Sequence, residues 1–186
     1  MVVYLYNFSV LPLPSFSMEG RALWLLKGAP LPARRLFWAK FWVGVVPLLG
    51  FGLLLVMATN SYLQVMPFMT WLSAATLAGL VFAIVALALA VGAAYPRLDA
   101  DNAARVAAGA GGLGYRVLCM SFIGAVVVLE AWPVYALFSA RFRGEALSPA
   151  AWASIAASFV AVVALIATVL IASVRAGLRH LDAIEP

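Results

Sequence analysis

Few side chains in this chain could do chemistry. Glu130 stands inside an apolar stretch that runs from about Leu113 to Phe138. A carboxylate in hydrocarbon is costly unless it is protonated or paired, which makes Glu130 a candidate for a polar path or a titrating site. Pro133 follows three residues later, where it frees a backbone carbonyl and bends a helix. Glu130 is equally readable as an interfacial, structural carboxylate near Arg141 and Arg143. Gly109-Ala110-Gly111-Gly112-Leu113-Gly114 fits G-x-G-x-x-G. A dinucleotide fold would need a strand before it and an amphipathic helix after it. Here an Ala-rich helical stretch precedes and an apolar span follows, so the glycines read as a bend or a close packing point. No G-x-x-x-x-G-K-[ST] occurs, so the chain is not itself a P-loop ATPase. His180 has no Cys, Asp or Glu pair at ligand spacing, and Cys119 is the one cysteine. Neither a metal site nor a disulfide is expected. No nucleophile–base set is present either, so no enzyme and no cofactor is expected.

The elements around these residues follow from composition. Of 186 residues, 66% are apolar and 10% are charged. Mean hydropathy is +1.07. Soluble domains carry about 25% charge and about 45–50% apolar residues. The difference excludes a water-soluble enzyme, a disordered tail and a nucleic-acid-binding module. From Phe41 to Pro96 there is no Asp, Glu, Lys or Arg. That run fits two membrane spans, at about 20 residues each. Asn60, Ser61, Gln64 and Pro67 mark the break between them. Span A is expected at about Phe41–Thr59, B at Met69–Ala94, C at Leu113–Phe138 and D at Ala150–Val174. The fold class is therefore all-α: a polytopic membrane bundle of four transmembrane helices, with a short amphipathic cytoplasmic helix before the first.

Orientation follows from the cations. Arg21, Lys27, Arg34, Arg35 and Lys40 precede A, Arg97, Arg105 and Arg116 lie between B and C, and Arg175 and Arg179 follow D. Only Arg141 and Arg143 fall in the alternate loops. Both chain ends are expected to be cytoplasmic. The net charge of +5 thus reflects loop cations, with no nucleic-acid partner. Arg116 is close enough to the cytoplasmic end to snorkel. Small residues recur every four positions at Ala75, Gly79 and Ala83 in B and at Ala153, Ala157 and Ala161 in D, followed by Ala164, Thr168 and Ala172. Such faces predict helix packing within a bundle or between subunits.

Residues 17–40 form a cytoplasmic segment. Met18 to Lys27 can make a short amphipathic helix, with Leu23 and Leu26 on one face, Glu19, Arg21 and Lys27 polar, and Trp24 suited to an interface. Gly28 and Pro30 stop it. On the residues alone, the segment is either an interfacial anchor or a docking helix for a cytoplasmic partner. Arg97, Asp99, Asp101 and Arg105 make either a second partner contact or a solvated, locally capped loop, with Asp101 or Asn102 as N-cap. Residues 1–16 are apolar but too short to span and lack signal-peptide features, and are expected to be the end of a preceding span. The expected organisation is thus 1–16, 17–40, a four-span domain at 41–174, and a cytoplasmic tail at 175–186.

The string from Glu19 to Lys40, EGRALWLLKGAPLPARRLFWAK, resembles the coupling segment of ABC-type exporter permeases. It shows an acidic residue and Gly, then Leu-Leu, a Pro a few residues later, basic residues, and a Lys opening the next span. More narrowly, the chain is similar to a bacterial family of ABC exporter permeases of the type-2 export kind. A second match runs from Tyr95 through Arg105 to Gly111-Gly112-Leu113 and Tyr115. The resemblance implies four spans after a coupling helix, residues 1–14 as the end of a second span, and a chain that is a fragment. It also implies a re-entrant turn within Trp132–Pro149 and a place in the bacterial inner membrane. A separate ATP-binding subunit would push the coupling helix, and a second, identical or different permease half would complete the path. Glu19, Arg21, Lys27, Arg34 and Arg35 would contact the ATPase, while Leu23, Trp24 and Leu26 fill its groove. Membrane lipid would surround the spans. The alternatives are an ion- or proton-coupled transporter or channel using Glu130, and a non-transporting membrane scaffold.

Overall fold

A computed structural model describes residues 33–94, 109–143 and 148–182. Regular structure among them is entirely helical: α1 (Ala33–Tyr62), α2 (Pro67–Ala94), α3 (Ala110–Arg143) and α4 (Pro149–Asp182). Each is long and apolar enough to cross a membrane. A helix satisfies every interior backbone group within itself, which is what a chain of such low polarity needs in a lipid solvent.

The helix ends have local causes. After Tyr62 the backbone turns through Gln64, whose φ of 52° is left-handed. The Val65 N–H donates to the Asn60 carbonyl at 3.0 Å, and the Gln64 N–H donates to the Ser61 carbonyl at 3.3 Å. This is the Schellman closure, with Gln where Gly is usual. Pro67 then opens α2, a first-turn position that tolerates its missing N–H. Ser148 caps α4: its Oγ accepts from the Ala151 N–H at 3.2 Å, and Pro149 follows it.

The helices overrun the expected spans. α1 starts at Ala33, so Arg34, Arg35 and Lys40 belong to its first two turns. The apolar run alone could not show this, because a helix does not stop where hydropathy falls. α4 continues past Val174 and carries Arg175, Arg179 and His180. α3 is one helix from Ala110 to Arg143 and passes through Pro133. The re-entrant turn expected within Trp132–Pro149 is therefore absent over Trp132–Arg143. Few side chains there break a helix, and Pro133 alone does not end it.

α2 and α4 form a central pair, and each also touches α1 and α3, which flank them. Two-thirds of the most apolar window of α2 is buried (67%), against 11% for that of α4. Leu77, Leu80, Val81, Ile84, Val85 and Leu89 of α2 are shut off completely. At Gly79 an added Cβ would lie 3.0 Å from Ile166 Cδ1, and at Gly177 it would lie 2.7 Å from Phe37 Cε2 and 3.4 Å from Ala90 Cα. These are the close approaches that small residues permit. In the stripe on α2, Gly79 and Ala83 do face the bundle, whereas Ala75 is exposed. On α4, Ala153, Ala157, Ala164, Thr168 and Ala172 point outward, and Ile155, Val162 and Gly177 point in.

The Phe37–Ala90–Gly177 junction joins the start of α1 to the ends of α2 and α4, so successive helices alternate in direction. Arg34, Arg35, Lys40, Arg116, Arg175, Arg179 and His180 consequently share one end of the bundle, and Arg141 and Arg143 lie at the other. Exposed aromatic residues, Tyr62, Phe68, Trp71, Trp132, Tyr135 and Trp152, ring that opposite end. At ~1.5 Å per residue, Trp38 to Tyr62 spans about 36 Å, Trp152 to Arg175 about 35 Å, and Arg116 to Trp132 about 24 Å. These lengths bracket a hydrocarbon core of about 30 Å, with aromatic residues at its edges.

Candidate functional site

One turn of α2 presents two hydroxyls to two different neighbours. Ser73 Oγ accepts from Asn60 Nδ2 of α1 at 2.9 Å and itself donates to the Thr70 carbonyl at 3.0 Å. Three residues on, Thr76 Oγ1 donates to Glu130 Oε1 of α3 at 2.5 Å. Thr76 is 6% exposed, and Pro133, one turn beyond Glu130, is buried. The i, i+3 spacing of Ser73 and Thr76 puts them on adjoining faces of α2. The two side-chain bonds therefore tie α1 and α3 to the central helix at one level. Glu130 lies two residues from Trp132, about 3 Å along the axis, and Thr76 lies five from Trp71, about 7.5 Å. This polar clasp sits just inside the aromatic ring. Sequence reasoning found Glu130 but missed Thr76, Ser73 and Asn60 as its setting. The available signal was a cluster of hydroxyls in the first ten residues of an otherwise apolar helix.

The basic end is the second polar region. Arg34, Arg35, Arg175, Arg179 and His180 are exposed. Arg116 is half-buried, and its Nε is closed off without a hydrogen-bond partner. Phe37, Trp38, Phe41 and Trp42 of α1 form an aromatic step beneath Arg34 and Arg35. Trp38 meets Phe41 edge-on at 5.2 Å, and Phe41 reaches Phe82 of α2 at 6.0 Å. This step fixes the direction in which α1 leaves the bundle.

Of the residues expected to contact a partner, Arg34 and Arg35 are together on the first turn of α1. Glu19, Arg21, Leu23, Trp24, Leu26 and Lys27 lie outside the described residues, as do Arg97, Asp99, Asp101 and Arg105. Gly109 is a bend, and Gly111, Gly112 and Gly114 fall in the first turns of α3, where the Leu113 N–H donates to the Gly109 carbonyl at 2.9 Å. That is a helix start within an apolar span. Among the described residues no three His, Cys, Asp or Glu side chains gather as metal ligands.

A protein-family profile described as "Putative ATP-binding cassette" matches residues 8–185, nearly the whole chain. The chain belongs to that family. No curated protein and no solved structure matches the chain.

Proposed function

We propose that this chain is the membrane-embedded permease part of an ATP-driven exporter and that a separate subunit binds and hydrolyses the ATP. The family is described by its ATP-binding cassette, yet the chain has no P-loop, and its described residues form four helices of membrane-spanning length. A chain of that build in such a family suits the membrane partner of the nucleotide-binding subunit. The observation that carries the proposal is the collection of cations at one end of the bundle, continuous with the segment before α1. The positive-inside rule assigns that end to the cytoplasm, and with it Met18–Lys40 and both chain ends. ATP-driven dimerisation of the cassettes would push residues 18–27, and α1 would carry the push into the α2–α4 pair through the Phe37–Gly177 junction. Glu19, Arg21 and Lys27 would meet the ATPase through charge, and Leu23, Trp24 and Leu26 through apolar burial. Arg97, Asp99, Asp101 and Arg105 would form its second contact. A second permease half, identical or not, completes the path.

The Thr76 bond and the nearness of Glu130 to the aromatic ring support a structural part for that carboxylate over ion coupling. The two are separated by experiment. In cells producing the chain together with a P-loop ATPase subunit, the pair Glu19→Lys and Arg21→Glu should abolish export, while Glu130→Gln retains most of it. Loss of transport in Glu130→Gln, with the charge reversals tolerated, would overturn the exporter assignment.

A further inference from the structure

We propose that the corner between the start of α1 and the end of α4 binds the phosphate of an anionic phospholipid headgroup, held by Arg34, Arg35 and Arg179. The Phe37–Gly177 contact fixes the level of the two helices against each other. Arg34 and Arg35 lie three and two residues before Phe37, and Arg179 and His180 lie two and three after Gly177. Both pairs therefore stand about 3–4.5 Å beyond that contact, on the same side of it. All four side chains are exposed. Arg179 and His180 suit the negative end of the α4 dipole, but Arg34 and Arg35 occupy the positive end of α1, where cations are disfavoured. The one carboxylate among the described side chains, Glu130, is at the far end of the bundle and does not offset them.

A phosphodiester answers each of these features. The guanidinium fork matches phosphate oxygens, and a fixed anion relieves the repulsion among the cations. Exposed Trp38, one turn past Arg34, sets the depth at which headgroups begin. The site rests on the four helices being spans, but not on ATP coupling, so its failure leaves the exporter assignment standing.

The test uses the full chain, purified without an ATPase in a neutral detergent. Phosphatidylglycerol, phosphatidylcholine and inorganic phosphate are titrated separately, and bound molecules per protein are read by native mass spectrometry. The wild type should retain phosphatidylglycerol in preference to phosphatidylcholine, and added salt should reduce that preference. Each lost cation should weaken phosphatidylglycerol binding roughly fivefold, and Arg34→Gln, Arg35→Gln and Arg179→Gln together about a hundredfold. The corresponding triple Lys variant and the distant Arg141→Gln/Arg143→Gln pair should keep the preference. An unchanged preference in the triple Gln variant, its loss in the distant pair or in the Lys variant, or binding of inorganic phosphate as tight as that of the lipid, would each overturn the proposal.

Discussion

At the scale of single residues, the Thr76–Glu130 bond is the polar contact with most at stake, because neither partner has water behind it in a lipid setting. Interhelical hydrogen bonds in membranes average about 0.6 kcal/mol and reach about 1.7 kcal/mol. Thr76→Val also leaves a carboxyl group without its donor, so a destabilisation of about 1–2 kcal/mol is expected. Thr76→Ser should restore most of it, and Glu130→Gln, whose amide oxygen still accepts, should cost less than Glu130→Ala. Unfolding of the four variants in detergent, with the Thr76→Val/Glu130→Ala double mutant to give the coupling, checks this. Gln64 is a second point. Its left-handed backbone costs about 1–2 kcal/mol in a non-glycine residue, whereas the exposed bond from its Nε2 to the Ser61 carbonyl is worth less. Gln64→Gly should therefore raise the melting temperature, and Gln64→Val should lower it. Glu130 was legible in the sequence as the acidic residue within a span. Its partner was not, because Thr76 is 54 positions away and threonine is common in apolar helices.

At the scale of elements, the junction of α1, α2 and α4 depends on Gly177. An added methyl would meet the Phe37 ring at 2.7 Å. That ring is fully buried and stacks on Phe41, so it has little room to yield. Gly177→Ala should cost about 1–3 kcal/mol by overpacking, and Phe37→Leu in the same chain should recover part of it. Gly124 has nothing within 4 Å, and Gly124→Ala should be neutral or stabilising by up to about 1 kcal/mol of helix propensity. Thermal unfolding of the two glycine variants should thus move in opposite directions. The four spans and their break at Asn60–Pro67 were legible because charge is absent for so long. The extra turns on α1, α3 and α4 were not, since amphipathic ends outside hydrocarbon leave no hydropathy signal. Nor was the central place of α2 legible: α4 has comparable hydropathy, 2.8 against 2.6, yet stays mostly exposed. The bundle buries Leu and Val of α2 and turns the alanines of α4 outward, and composition does not distinguish these outcomes.

At the scale of the whole molecule, polarity is segregated along the bundle axis. Most of the described cations sit at one end, the hydroxyl–carboxyl clasp sits near the other, and an apolar core lies between. The coupling account needs the basic end to face the cytoplasm, so that a push on residues 18–40 travels through α1 into the α2–α4 pair. The most direct measurement is the accessibility of single cysteines in a Cys119→Ala background, using a membrane-impermeant maleimide on intact cells. Trp24→Cys and Arg34→Cys should be labelled only after permeabilisation, and Leu63→Cys, in the turn between α1 and α2, should be labelled without it. Labelling of Trp24→Cys and Arg34→Cys from the outside of sealed cells would contradict the account.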